Sequence, residues 1–214
     1  MKLLACLIER PGILEWLRLK SALSADLVRD WHDIVQDVSA GQMELTSHAF
    51  MMPWSVLTGL DFRQVGELSN SVSPKFYTMH WPLMIQFWGT TIRKANPHLD
   101  ENLLTQALVH LVDMAAADES LENKTLADYR YPEPDEPHPV RESVQLRKLH
   151  QVRTALRGAD TQLVPLIHGY GPDDDFSRRL ALVVAADVDG TWINRYGYLS
   201  EAKLQAVTEK WTAS

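Results

Sequence analysis

The feature that most limits this fold is the way short strand-like runs pass straight into helical patterns. The run "PKFYTMHW" (74–81) leads directly into Pro82 and "PLMIQFWGTTIRKA". Proline suits the first turn of a helix, where its missing N–H loses no bond, so a helix is expected from Pro82. "MELTSHAF" (43–50), "QLVPLIHGYG" (162–171) and "TWINRYGYLS" (191–200) are equally short and rich in strand-forming residues. Helical patterns stand between and after them, which is the signature of β-α units on a parallel sheet.

The rest of the chain fits that alternation. Residues 13 to 38 read as a long amphipathic helix, because Leu23, Leu27, Trp31, Ile34, Val35 and Val38 recur at steps of three and four. Arg18, Asp26, Arg29, Asp30 and Asp33 lie on its other face, and Gly41 just past its end suits a left-handed closing position. A further helix is expected at 100 to 117, capped by Asp100. Residues 118 to 143 change character and culminate in "YRYPEPDEPHP", whose four prolines exclude a helix interior or a central strand. This insertion reads as a solvated connection or as a lid over a site. Helices follow at 143 to 157, after Pro172 in "DDDFSRRLALVVAA", and after Ser200 in "EAKLQAVTEKW". The expected fold class is therefore α/β, a single domain over 1–214 with an N-terminal helix and four β-α units, half of a (β/α)8 TIM barrel.

Composition narrows the function classes. The formal charge of -7 comes from scattered acids with no Lys/Arg block, so a nucleic-acid partner is not expected. Cys6 is the single cysteine, which excludes an internal disulfide framework and any multi-cysteine metal site and fits a reducing, cytoplasmic setting. In "MKLLACLIERPG" the apolar run is too short for a signal peptide's core and gives way at once to Glu9, Arg10 and Pro11. No run approaches the roughly 20 apolar residues that cross a bilayer, so no membrane role is expected.

In parallel β-α architectures, working side chains gather at the carboxyl ends of strands. His48, His80, His168 and Arg195 fall late in their strand-like runs and are expected to converge on one rim. Imidazole hydrogen-bonds, shuttles protons or binds metal, and Trp81 either stacks on an apolar sugar face or anchors the helix after it. Three histidines match the ligand number of a catalytic zinc, although the tight i, i+4 pair of specific zinc motifs is missing. Among the acids, Asp173, Asp174 and Asp175 suit a helix N-terminus, and Asp187 and Asp189 precede a strand at its stability end. Asp61, in a strand-to-helix loop, is the best single candidate for an acid, a base or a helix cap. There is no Gly-x-Gly-x-x-Gly or Walker loop, and no cofactor is expected.

Four segments together carry a resemblance: "ILEWLRLKSALSADLV", "LTGLDFRQVGELSNSVSPKFYTMHWPLM", "LVPLIHGYGPDDDFSRRLALVVAADVDGTWINRYGYLS" and the closing helix. They resemble the carboxyl-terminal half of glycoside-hydrolase-like (β/α)8 barrels, in which a strand similar to "WINRYGYLS" precedes the last helix. The resemblance implies a carbohydrate-active site with Asp61, His80 and His168 as catalytic candidates. His48, Trp54, Tyr77, Trp81, Tyr170, Arg195 and Tyr196 are its substrate-binding candidates, for a carbohydrate or another small-molecule ligand. Such enzymes commonly use two carboxyl groups. His168, Gly169 and Tyr170 stand where one of the pair would fall. A half barrel leaves sheet edges and an inner face open, which implies a homodimer, a separate amino-terminal half, or a sequence that is a fragment or starts out of place. Two further readings stand beside this one: a zinc hydrolase using His48, His80 and His168, and a non-catalytic half-barrel or interaction module.

Overall fold

The computed structural model describes residues 9–212; the apolar run at 3–8 and Cys6 lie outside the described residues. Eight α-helices and five strands alternate among the described residues, and the strands pair in parallel, so the fold class is α/β. The chain gathers into two compact units. One is 1–75 with 151–164, and the other is 76–150 with 165–214.

The first unit opens with α1 (Gly12–Ser39), close to the expected bounds. Ala40 takes the left-handed cap at φ 50°, and Gly41 follows at φ 76°. The apolar stripe that locates this helix is exposed: Leu23, Leu27, Trp31 and Ile34 are each more than half accessible, and Ala25 is the buried residue. Strand β1 (Thr46–Phe50) leads into two single-turn helices, α2 (Trp54–Thr58) and α3 (Phe62–Gly66). Strand β2 (Ser71–Phe76) pairs with β1 from Thr46↔Ser71 to Phe50↔Lys75, and with the short β3 (Gln162–Leu163) at Val72↔Leu163. Val72, Phe62, Val65, Met51 and Leu163 are buried to 1 % exposure or less and form this unit's core.

In the second unit, three residues separate the end of β2 from α4 (His80–Ala95), which has Pro82 in its first turn as expected. Helix α5 (Glu101–Leu111) is capped by Asp100, whose side chain accepts from Leu103 N, and ends six residues short of the expected 117. The 118–143 insertion holds one 3-10 turn (Leu126–Tyr129), closed by the reciprocal bonds of Thr125 and Asp128. Arg130 grips Glu136 through two bonds of 2.6 and 2.7 Å, so the proline-rich part is pinned by its own side chains. Helix α6 (Glu142–Ala155) follows.

The expected strand at 162–171 is divided at Pro165. Proline has no N–H to donate, and on either side of it Val164 N donates to Val72 O while Pro165 O accepts from Trp192 N. The piece after it, β4 (Leu166–His168), runs parallel to β5 (Trp192–Asn194), with His168 opposite Asn194. Helix α7 (Asp173–Ala185) follows β4, and a 3-10 turn (Tyr196–Tyr198) and α8 (Glu201–Thr212) follow β5. Ser200 caps α8 by accepting from Lys203 N at 3.2 Å. No helix among the described residues is long and apolar enough to cross a membrane.

Candidate functional site

Three strands of the alternation, β2, β4 and β5, deliver polar groups to one place. Tyr77 follows β2, His168 ends β4 and Asn194 ends β5. Asn194 donates its amide to the Tyr77 hydroxyl at 2.5 Å, and the Tyr77 and His168 rings meet edge to face at 5.3 Å.

From Tyr77 the rings form a closed circuit. Tyr77 meets His80 (5.5 Å), His80 meets Tyr131 (5.6 Å), and Tyr131 meets Tyr170 (5.3 Å). Tyr170 meets Tyr198 (5.6 Å), and Tyr198 returns to His168 (5.7 Å). Most of these pairs are tilted or edge-on, the arrangement aromatic rings prefer, at about 0.5–1.5 kcal/mol each beyond simple burial. Tyr170 and His168 are buried, Tyr77, His80 and Tyr131 are partly open, and Tyr198 is half exposed. The circuit therefore has a closed floor and an accessible rim.

Two buried cations set that floor. Arg179 of α7 is fully buried; its Nη1 and Nη2 donate to the carbonyls of His168 (3.2 Å) and Tyr170 (2.8 Å), and its Nε to Asp175 (2.7 Å). Lys203 of α8 donates to the carbonyls of Gly169 (2.8 Å), Gly171 (2.6 Å) and Tyr198 (3.1 Å). Carbonyls of buried loops need partners, and these two side chains supply five bonds to the turns after β4 and β5. The Pro-rich insertion is tied in at the same point. Tyr170 donates its hydroxyl to Pro132 O (2.9 Å), and His138 Nδ1 lies 2.7 Å from Thr78 Oγ1.

Burial, reinforced by His80, Arg179 and further cations, pushes the His168 pKa down to about 4, so its ring is neutral at pH 7. Tyr170 N donates to His168 Nδ1 at 3.0 Å, which leaves the ring proton on Nε2 as a donor. Burial, then Arg179, pushes His138 down to about 3. The pKa of Asp175 is pushed up by burial, but Arg179 and Arg178 outweigh this and hold it below the ordinary carboxylate value. His168 is thus neutral, and the circuit is rich in hydroxyl and imidazole hydrogen-bonding groups and contains no carboxylate.

The sequence candidates divide by place. Tyr77, His80, His168 and Tyr170 come together in the circuit. Arg195, left-handed at φ 68°, and Tyr196, 77 % exposed, lie in the turn after β5, where Tyr198 takes the ring position instead. Trp81 is a core residue, the helix-anchoring place of the two expected for it. At 3 % exposure it packs edge-on against Phe76 (5.2 Å) under the Lys148 ammonium, with no open face for a sugar. His48, Trp54 and Asp61 belong to the first unit. His48 is exposed in the middle of β1, not at its end, because the strand continues to Phe50. Trp54 is buried at the start of α2, and Asp61 caps α3 through Arg63 N (3.0 Å) while pairing with the Arg63 guanidinium. Sequence reasoning missed Tyr131, Asn194 and Tyr198, although all three stand in stretches it singled out.

A cleft of about 640 Å³ opens beside His138 and Tyr129. Two ion pairs cross its lining, Arg178 with Glu142 (3.2 Å) and Lys124 with Glu119 (4.0 Å), and it gathers none of the ring groups that meet at the strand ends. Among the described residues no group of three or more His, Cys, Asp or Glu side chains is placed to hold a metal ion. No protein-family model, curated protein or solved structure matches this chain.

Proposed function

We propose that the second unit binds a hydroxyl-rich small molecule of the carbohydrate class at the six-ring circuit. The observation that carries this reading is the circuit itself: six aromatic or imidazole rings, gathered where the turns after β2, β4 and β5 meet the proline-rich insertion, part open and free of carboxylates. Ring faces suit the apolar face of a sugar, and His168 Nε2, His80 and the Tyr77 hydroxyl suit its hydroxyl groups. In this reading His80 and His168 bind rather than cleave, since the circuit holds no carboxylate pair of the kind glycoside hydrolysis uses. The four β-α units are read with it as the carboxyl-terminal half of a glycoside-hydrolase-like (β/α)8 barrel, a reading that rests on the four sequence segments and on site placement at strand ends.

The test is a thermal-shift panel of neutral mono- and disaccharides on the whole chain, followed by calorimetry. A sugar present at ten times its Kd stabilises by about 1.4 kcal/mol, which raises Tm by about 3–5 °C for a chain of this size. The shift is expected to vanish in Tyr131→Ala and in His80→Ala. If no sugar moves Tm, or if both variants bind as the parent does, the proposal fails.

A further inference from the structure

We propose that the exposed face of α1 is a self-association surface, on which two copies of this chain pack α1 against α1, antiparallel, about a two-fold axis that passes between Leu23 and Leu27. Trp16, Leu19, Leu23, Leu27, Trp31 and Ile34 form one stripe, each more than half exposed. Together they leave on the order of 700 Å² of apolar surface, above the few hundred usual for a monomer. Two such faces would bury roughly 1,400 Å², within the range of stable interfaces.

The spacing identifies the occupant. The steps along the stripe are three, four, four, four and three, the same read in either direction. Reversed about residue 25, Trp16 meets Ile34 of the second copy, Leu19 meets Trp31, and Leu23 meets Leu27. Each layer sets a large side chain against a smaller one or two leucines together, which is how facing helix ridges fill space. A two-fold contact must be self-complementary in this way, residue i meeting j and j meeting i.

Charge favours the same orientation. The first half of α1 holds Glu15, Arg18 and Lys20, a net charge of +1, and the second holds Asp26, Asp30, Asp33 and Asp37 with Arg29, a net charge of -3. Antiparallel packing lays the acidic half beside the basic one and opposes the helix dipoles, whereas a parallel pair would gather eight aspartates at one end. Lys20 is already fixed, donating to Leu57 O at 2.6 Å and lying 4.3 Å over the Trp16 ring, so this anchor is held before association.

Light scattering of the whole chain at about 50 µM is expected to give twice the 24.3 kDa chain mass. Leu23→Glu with Leu27→Glu is expected to give the single-chain mass with unchanged far-ultraviolet circular dichroism. Orientation is read from Leu19→Cys and Trp31→Cys chains, each also carrying Cys6→Ser, mixed and oxidised. The mixed 19–31 disulfide is expected, because like positions lie about 18 Å apart along an antiparallel pair. Should the double Glu variant misfold, this cross-link still decides. A single-chain mass for the parent, as when another protein covers the stripe, overturns the proposal. So does a dimer unaffected by the Glu substitutions, or 19–19 cross-linking in place of 19–31.

Discussion

Replacing Asp175 by asparagine removes the charge that faces the buried Arg179 and, at the helix surface, one of the two partners of Arg178. The Asp175 side chain is 1 % exposed and that of Arg179 is not exposed at all, with Oδ2 and Nε 2.7 Å apart. Breaking a buried pair from one side costs about 3–5 kcal/mol, because the remaining charge loses its compensation. Asparagine keeps one acceptor oxygen, Arg179 keeps the His168 and Tyr170 carbonyls, and Arg178 keeps Glu142. The loss should therefore lie at the low end, about 3 kcal/mol, or about two powers of ten in the folding equilibrium. In urea denaturation followed by tryptophan fluorescence, that is a midpoint shift of about 1.5 M for a slope of about 2 kcal/mol/M. Asp174→Asn serves as the control. It lies exposed at the same helix end and keeps the oxygen that accepts from Asp175 N, so it reports the helix-dipole effect alone, within about 1 kcal/mol. A loss under about 1 kcal/mol in Asp175→Asn, or equal losses in the two variants, would refute the view that this pair holds the floor of the site.

Two further outcomes are expected. His168 and His138 titrate at about 4 and about 3 in the folded chain, against 6.5 in the ordinary case, so between those values the unfolded chain binds more protons and stability falls as pH is lowered. His168 alone accounts for on the order of 3 kcal/mol between pH 6.5 and 4, and a denaturation midpoint that is flat over that interval would exclude the buried neutral histidines. Gly171 stands at φ +93° with His138 Nε2 3.1 Å from where a Cβ would sit, so Gly171→Ala should destabilise by about 1–2 kcal/mol, read by thermal melting; an unchanged Tm would count against it.

Much of the local order was legible because it rests on short-range chemistry. Pro82 in a first helical turn, Asp100 and Ser200 as caps, and the three-and-four spacing of α1 all act within a turn or two of chain. Pro165 interrupts a run that the pattern reads as one strand, because removing a donor is decisive only when the neighbouring strands that would accept from it are known. Trp81 shows the same limit. A tryptophan beside a strand end reads alike whether its ring faces a ligand or the core, and only packing against Phe76 and Lys148 separates the two.

The site follows this division. His80, His168 and Tyr170 could be named in advance because β-α units put working groups at strand ends. Tyr131 could not, since its place depends on a proline-rich insertion whose path is set by Arg130 with Glu136, Thr78 with His138, and Tyr170 with Pro132. Tyr198, rather than Tyr196, completes the circuit because the chain turns left-handed at Arg195 and Lys203 holds the Tyr198 carbonyl. The sequence by itself determined the β-α alternation, the helix ends and the kind of residue that meets at the strand ends. Only the tertiary structure decided which rings close the circuit and that the stripe of α1 faces outward, because both depend on contacts between residues far apart in the chain, which no local periodicity encodes.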